Sequence, residues 1–108
     1  MALSRSFKET VKARAMRDPE FRAALLGEAA EAFVAGDAAT GKALMRDYIN
    51  ATIGFEQLGQ AVAMDPKNLM RMFGPRGNPR LTNLSTVLRE LSRREAVQFK
   101  VEPDRIAV

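Results

Sequence analysis

Apolar residues recur at helical spacing along almost the whole chain, and only its last part alternates with a period of two. Phe7, Val11 and Ala15 form a thin stripe on a first short helix, with Ser6 and Glu9 at the spacing of a capping box. Asp18 caps the next helix, with Pro19 at the first position, where a missing N–H costs nothing. Phe21, Leu25, Ala29 and Phe33 give its buried face, and Gly36 stops it. Asp37 or Thr40 opens a third helix with Leu44, Tyr48, Ile49 and Thr52 facing inward, ended by Gly54. A fourth, from Phe55 to about Val62, buries Phe55, Leu58 and Val62. Asp65-Pro66 starts a fifth that runs to Phe73. Gly74 to Pro79 is too rich in turn residues to be helical, and Thr82 then caps a last helix with Leu84, Val87, Leu88 and Leu91 on one face.

Val97, Phe99 and Val101 alternate with Gln98, Lys100 and Glu102 before a turn at Pro103-Asp104, the pattern of a half-buried strand. A lone strand or hairpin is marginal, so its expected partner is the equivalent strand of a second copy, which makes the chain a homodimer. The fold class expected is all-α: a compact helical bundle containing a helix-turn-helix, with a short C-terminal β-strand or hairpin. Its pieces are a basic N-terminal helix or arm over residues 1–17, a helical domain over 18–95 and a tail over 96–108.

Composition narrows the chemistry. The 108 residues include no His, Cys or Trp, which removes disulfides, thiolate nucleophiles, imidazole bases and the usual zinc sites. No G-x-S-x-G, S-x-x-K or phosphate-binding loop pattern appears, so neither an enzyme nor a cofactor is expected. No apolar run approaches the roughly 18 residues of a membrane span, and there is no secretory core. The lack of Cys fits a reducing compartment, so the expected location is cytoplasmic.

The net charge of +4 is unevenly distributed. Residues 1–17 hold five cations against Glu9, while residues 18–64 hold only Arg22, Lys42 and Arg46 against seven carboxylates. Residues 65–95 carry Lys67, Arg71, Arg76, Arg80, Arg89, Arg93 and Arg94 against Asp65, Glu90 and Glu95. Two basic islands thus flank an acidic middle, which suggests more than one partner surface. The first island also fits a DNA-backbone arm or an organelle leader, although Glu9 and the capping spacing favour a folded helix.

Residues 55–73 read as helix, three-residue turn and helix, the spacing of a helix-turn-helix, with the small Gly59 where the two backbones approach. On a helical wheel for the second of these, Leu69 and Phe73 point inward with Met72 on a flank. The opposite face falls between Lys67 and Arg71, with Asn68 and Met70 to either side. A recognition helix offers such a face to a DNA major groove. Arg71 suits guanine, Asn68 adenine or a phosphate, Met70 a thymine methyl, and Lys67 a base edge or a phosphate. Arg76 and Arg80, flanking the loop, would act at the DNA backbone.

These residues resemble a known family. The stretch Leu58-Gly59-Gln60-Ala61-Val62-Ala63-Met64-Asp65-Pro66-Lys67-Asn68-Leu69-Met70-Arg71, then Gly77-Asn78-Pro79 and Leu84 to Leu91, is similar to the repressor-type helix-turn-helix domain of addiction-module antidote proteins. Gly36-Asp37 and Tyr48-Ile49-Asn50-Ala51 look like the helix that precedes the motif, so the resemblance covers about residues 18–95. It implies an antitoxin that binds a small basic ribonuclease-type toxin and, usually as a dimer, represses its own operon through operator DNA. Carried over by position, Asp65, Pro66, Lys67, Asn68 and Arg71 would form the DNA surface, with Asn78 on the loop at the backbone. Two positions depart from the broader repressor family: Phe55 stands where a phosphate-anchoring Gln is common, and Gly59 where Ala is common. Gln57 or the Arg76 loop is then the expected substitute contact.

The resemblance does not locate the toxin surface. A basic toxin would be drawn to the acidic middle, where Glu28 and Glu31 stand beside the small side chains of Ala23, Ala24, Ala29, Ala30 and Ala32. The competing account is an Ala-rich helix packed within its own domain. Two further readings of the whole chain are a repressor without a toxin partner and a helical adaptor that binds only protein, which would not require Lys67, Arg71, Arg76 and Arg80 around one helix and its loop.

Overall fold

The computed structural model describes the backbone of residues 5–107 and the side chains of residues 9–107. Among them the elements run α1 (Arg5–Arg17), α2 (Pro19–Val34), α3 (Ala38–Ala51), α4 (Phe55–Val62), α5 (Pro66–Met72) and α6 (Leu81–Glu95), with no strand. Three of the helices start on an aspartate that does what its position predicts. Asp18 accepts from the Phe21 N–H, Asp37 from Thr40 and Asp65 from Lys67, each satisfying an orphan donor of the first turn. Between α2 and α3, Gly36 adopts φ +85°, and the N–H groups of Gly36 and Asp37 return to the carbonyls of Phe33 and Ala32. This Schellman closure is open to glycine because a Cβ disfavours that φ.

Other boundaries differ from the sequence reading. Ser6 lies inside α1 rather than ahead of it. Thr82 sits within α6, whose cap is the extended Arg80 with no side-chain bond to the helix. Thr52 caps the end of α3 and is exposed, its hydroxyl turned back to the Tyr48 carbonyl.

The core forms where the apolar stripes meet. Leu26 and Ala29 from α2, Met45, Tyr48 and Ile49 from α3, Phe55 and Leu58 from α4, Leu69 and Phe73 around α5, and Val87 and Leu91 from α6 make one cluster. The inward faces expected for α5 and α6 are therefore the ones used: Leu69, Phe73, Val87 and Leu91 are buried, with Met72, Leu84 and Leu88 packed against them. The basic first segment belongs to this body as well. Ala15 of α1 is buried, and the helix packs on α2 and α3. Phe7, the other end of that stripe, lies outside the described side chains.

The C-terminal strand is not formed. Residues 97–107 have no regular secondary structure; Val97 and Phe99 instead pack against the chain's own core, and Val101 is exposed. Ala96 in the left-handed conformation ends α6 and turns the chain back, with the Val97 N–H reaching the Ser92 carbonyl. The period of two thus reports two side chains folding onto a helical core while their neighbours face solvent, a task that needs no ladder and no second copy.

A part-buried polar cluster pins this end of the bundle. Both carboxylate oxygens of Glu95 accept from Arg22 Nε at 3.0 and 3.1 Å, one accepts from the Tyr48 hydroxyl at 2.6 Å, and Arg22 also donates to the Ala15 carbonyl. Burial, then the bond to Glu95 and its charge, hold the Tyr48 phenol well above the usual tyrosine range. Four helices are tied together by these side chains.

Candidate nucleic-acid interface

The site begins with the crossing of α4 and α5. Three residues join them, and Ala63 takes a left-handed conformation (φ 56°) to end α4 sharply. Gly59 is buried at the crossing, where an added Cβ would stand 2.6 Å from the Met64 carbonyl oxygen and 3.1 Å from Pro66 Cγ. The small residue expected there is thus required by backbone approach.

On α5 the outer face carries Lys67, Asn68, Met70 and Arg71, all exposed, while Leu69 between them is fully buried. Met70 is 48 % exposed. The Arg71 guanidinium lies 3.3 Å from Asn68 Oδ1, so the two form a joined pair one turn apart. Asp65 is exposed, but its carboxylate is engaged as the helix cap with the Lys67 N–H at 2.8 Å. A capping carboxylate is poorly placed to meet a phosphate and well placed to fix the first turn of α5.

Beyond α5, the loop from Gly74 to Pro79 folds back along the helix. Asn68, Arg71 and Met72 from α5 and Gly74, Pro75, Arg76, Gly77 and Asn78 from the loop line one open groove of about 560 Å³. Four of the predicted site residues, Asn68, Arg71, Arg76 and Asn78, therefore line one concavity, two of them arginines, with no acidic residue among the described lining residues. Lys67, Met70 and Arg80 lie outside its walls. Gln57 is on a separate, smaller groove with Arg22, Tyr48, Arg94 and Glu95, away from this face.

The loop is held from both sides. An added Cβ on Gly77 would stand 2.0 Å from the Arg71 carbonyl oxygen and 2.3 Å from that of Met72, so the loop backbone rests directly on the last turn of α5. From α3, Lys42 Nζ donates to the Gly77 carbonyl at 2.7 Å and the Pro75 carbonyl at 3.3 Å, and Arg46 donates to the Phe73 carbonyl. These two cations were not foreseen as part of the site. Their signal was faint but present: Lys42, Met45 and Ile49 share one helical face, and a cation at an inward position demands an internal acceptor.

Structure also redistributes the charge. The cations of the acidic middle, Arg22, Lys42 and Arg46, are all spent on internal bonds, whereas Glu20, Glu28, Glu31, Asp37 and Glu56 are exposed. In the second basic island Arg93 and Arg94 pair with Glu90, whose carboxyl they hold below its ordinary range. Lys67, Arg71, Arg76, Arg80 and Arg89 are exposed and meet no carboxylate among the described residues. Of the Ala-rich stretch, Ala29 is in the core, Ala23, Ala30 and Ala32 are half-buried and Ala24 is exposed, so most of it serves packing within the domain.

No cluster of three His, Cys, Asp or Glu side chains that could hold a metal occurs among the described residues, and none of their helices is long and apolar enough to cross a membrane. No protein-family model matches the chain, and no curated protein or solved structure shows significant similarity to it.

Proposed function

We propose that this chain is a sequence-specific DNA-binding protein, the antitoxin of a toxin–antitoxin pair, which represses its own operon through a helix-turn-helix built from α4 and α5. The observation that carries the reading is the face of α5 and its loop: Lys67, Arg71, Arg76 and Arg80 exposed with no carboxylate partner among the described residues, and Asn68 and Arg71 sharing a groove with Arg76 and Asn78. A phosphate-rich duplex is the partner such a face attracts, and Arg and Asn are the side chains that read base edges in pairs of bonds. Operator binding as a homodimer belongs to this reading, and Val101 and Ile106, 72 % and 82 % exposed, offer apolar surface to a second copy.

The test is a duplex-binding titration with a preferred site selected from random sequence. Arg71→Ala is expected to weaken the preferred site by about 1–3 kcal/mol and relax one base position, whereas Arg76→Ala weakens all sequences alike and lowers the salt slope. Equal losses for both variants on preferred and random DNA would remove the base-reading assignment, and no binding by the wild type would remove the function. The repressor without a toxin partner draws support from the packing of Ala29 and its neighbours within the domain, which leaves Glu28 and Glu31 as the acidic surface for a basic toxin. Co-purification with the product of a short neighbouring reading frame separates the two readings. Charge reversal at Glu28 and Glu31 that leaves such a complex intact at low salt would clear α2 of that contact.

A further inference from the structure

Lys42 is the one described charged residue that falls among the buried positions, at 9 % exposure, and it faces carbonyls rather than a carboxylate. A buried ammonium is expensive unless every bond it makes is good. Here those bonds go to a single loop. The carbonyls of Phe73, Pro75 and Gly77, alternate residues, all turn toward α3 to meet Arg46 and Lys42. The intervening Arg76 and the following Asn78 are left exposed on the groove that also holds Arg71 and Asn68. On the opposite side Gly77 is pressed against the α5 carbonyls of Arg71 and Met72, so the loop has no room to shift toward the helix.

We propose that Lys42 and Arg46 are positioning residues for nucleic-acid binding: they fix the loop so that Arg76 stands at a set distance from Arg71, and they act on DNA through Arg76 rather than by touching it. This rests on the DNA-binding reading of α5. The physical basis is preorganisation. A loop of glycines and prolines with a free arginine would otherwise lose conformational freedom on meeting a phosphate, and the two α3 cations remove that loss in advance.

The experiment is a double-mutant cycle in the full chain, read by titration of random duplex DNA at several salt concentrations. Lys42→Met is expected to weaken binding about tenfold and Lys42→Arg to restore most of it. Combined with Arg76→Ala, Lys42→Met should add little further loss; combined with Arg71→Ala, its full loss should persist. A general loss of structure would give additive losses with both, and that result, or unchanged binding by Lys42→Met, overturns the proposal. Amide exchange at Gly77, whose N–H reaches the Gly74 carbonyl, gives a readout that needs no DNA: it should rise in Lys42→Met and in the milder Arg46→Met while the α6 amides stay protected. If that loop amide stays protected, the positioning is wrong. If it opens while the wild type fails to bind duplex, the positioning stands and the DNA reading falls instead. Should Lys42→Met not fold, Arg46→Met takes its place in the cycle with the same expectations.

Discussion

Gly77→Ala tests the packing of the loop on which the site depends. The new methyl group would be placed 2.0 and 2.3 Å from two backbone carbonyl oxygens of α5, neither of which can swing aside as a side-chain tip could. The loop must therefore lift. Overpacking of this kind typically costs about 1–3 kcal/mol. Lifting also stretches the 2.7 Å bond from Lys42 to the Gly77 carbonyl, and a hydrogen bond to a charged group contributes about 1.5–3 kcal/mol. The two terms overlap, because one displacement relieves the first by incurring the second, so a net loss of about 3 kcal/mol is expected. With a urea dependence of roughly 1–3 kcal/mol per molar for a small domain, the unfolding midpoint should fall by about 1–3 M. Gly27→Ala is the control: it lies within α2 with nothing in the space its Cβ would take, and it should gain about 0.5–1 kcal/mol from helix propensity. Equilibrium urea unfolding followed by circular dichroism measures both. A Gly77→Ala midpoint equal to the wild type's would refute the close contact between loop and helix, and with it the argument that the loop is held rather than free.

Two further outcomes follow from the bundle's other end. The Tyr48 phenol is held above its unfolded value of 10.0, so the stabilisation is fully present below about pH 10 and declines as pH rises beyond it, by up to about 1.4 kcal/mol per pH unit; Tyr48→Phe should remove that alkaline slope in unfolding experiments, and an unchanged slope would show that Tyr48 is not its source. Truncation after Ala96 removes Val97 and Phe99 from the core surface and should lower stability by about 1–3 kcal/mol in thermal melting, whereas a stability equal to the full chain's would show that the tail does not pack on its own core.

Local signals in the chain were sufficient wherever the interactions are local. The aspartate caps at 18, 37 and 65, the glycine stop at 36 and the inward faces of α5 and α6 follow from residues a turn apart and are present in the structure, whereas α2 buries Leu26 with Ala29 and leaves Phe21, Leu25 and Phe33 half-buried. The outward direction of Lys67, Asn68, Met70 and Arg71 was readable for the same reason, since one buried Leu69 fixes the rotation of the whole helix. The need for a small residue at Gly59 was equally legible from a three-residue turn between two helices.

Tertiary structure decided what depends on residues far apart. Alternation at Val97 and Phe99 cannot say whether the other side of those side chains is a strand or a helical core; only the bundle supplies the answer, and it supplies its own core. Glu95, at the end of an exposed-looking charged run, has its carboxylate covered because Arg22 and Tyr48, 73 and 47 residues away, converge on it. Lys42 is likewise bound to a loop 33 to 35 residues further on, which turned an anomalous cation on an inward face into the anchor of the groove. The sequence alone determined which helices form and which way α5 and α6 face, because hydrogen bonding and periodicity act over a few residues. Which charges remain free at the surface was settled only when distant carbonyls and carboxylates were brought within reach of them.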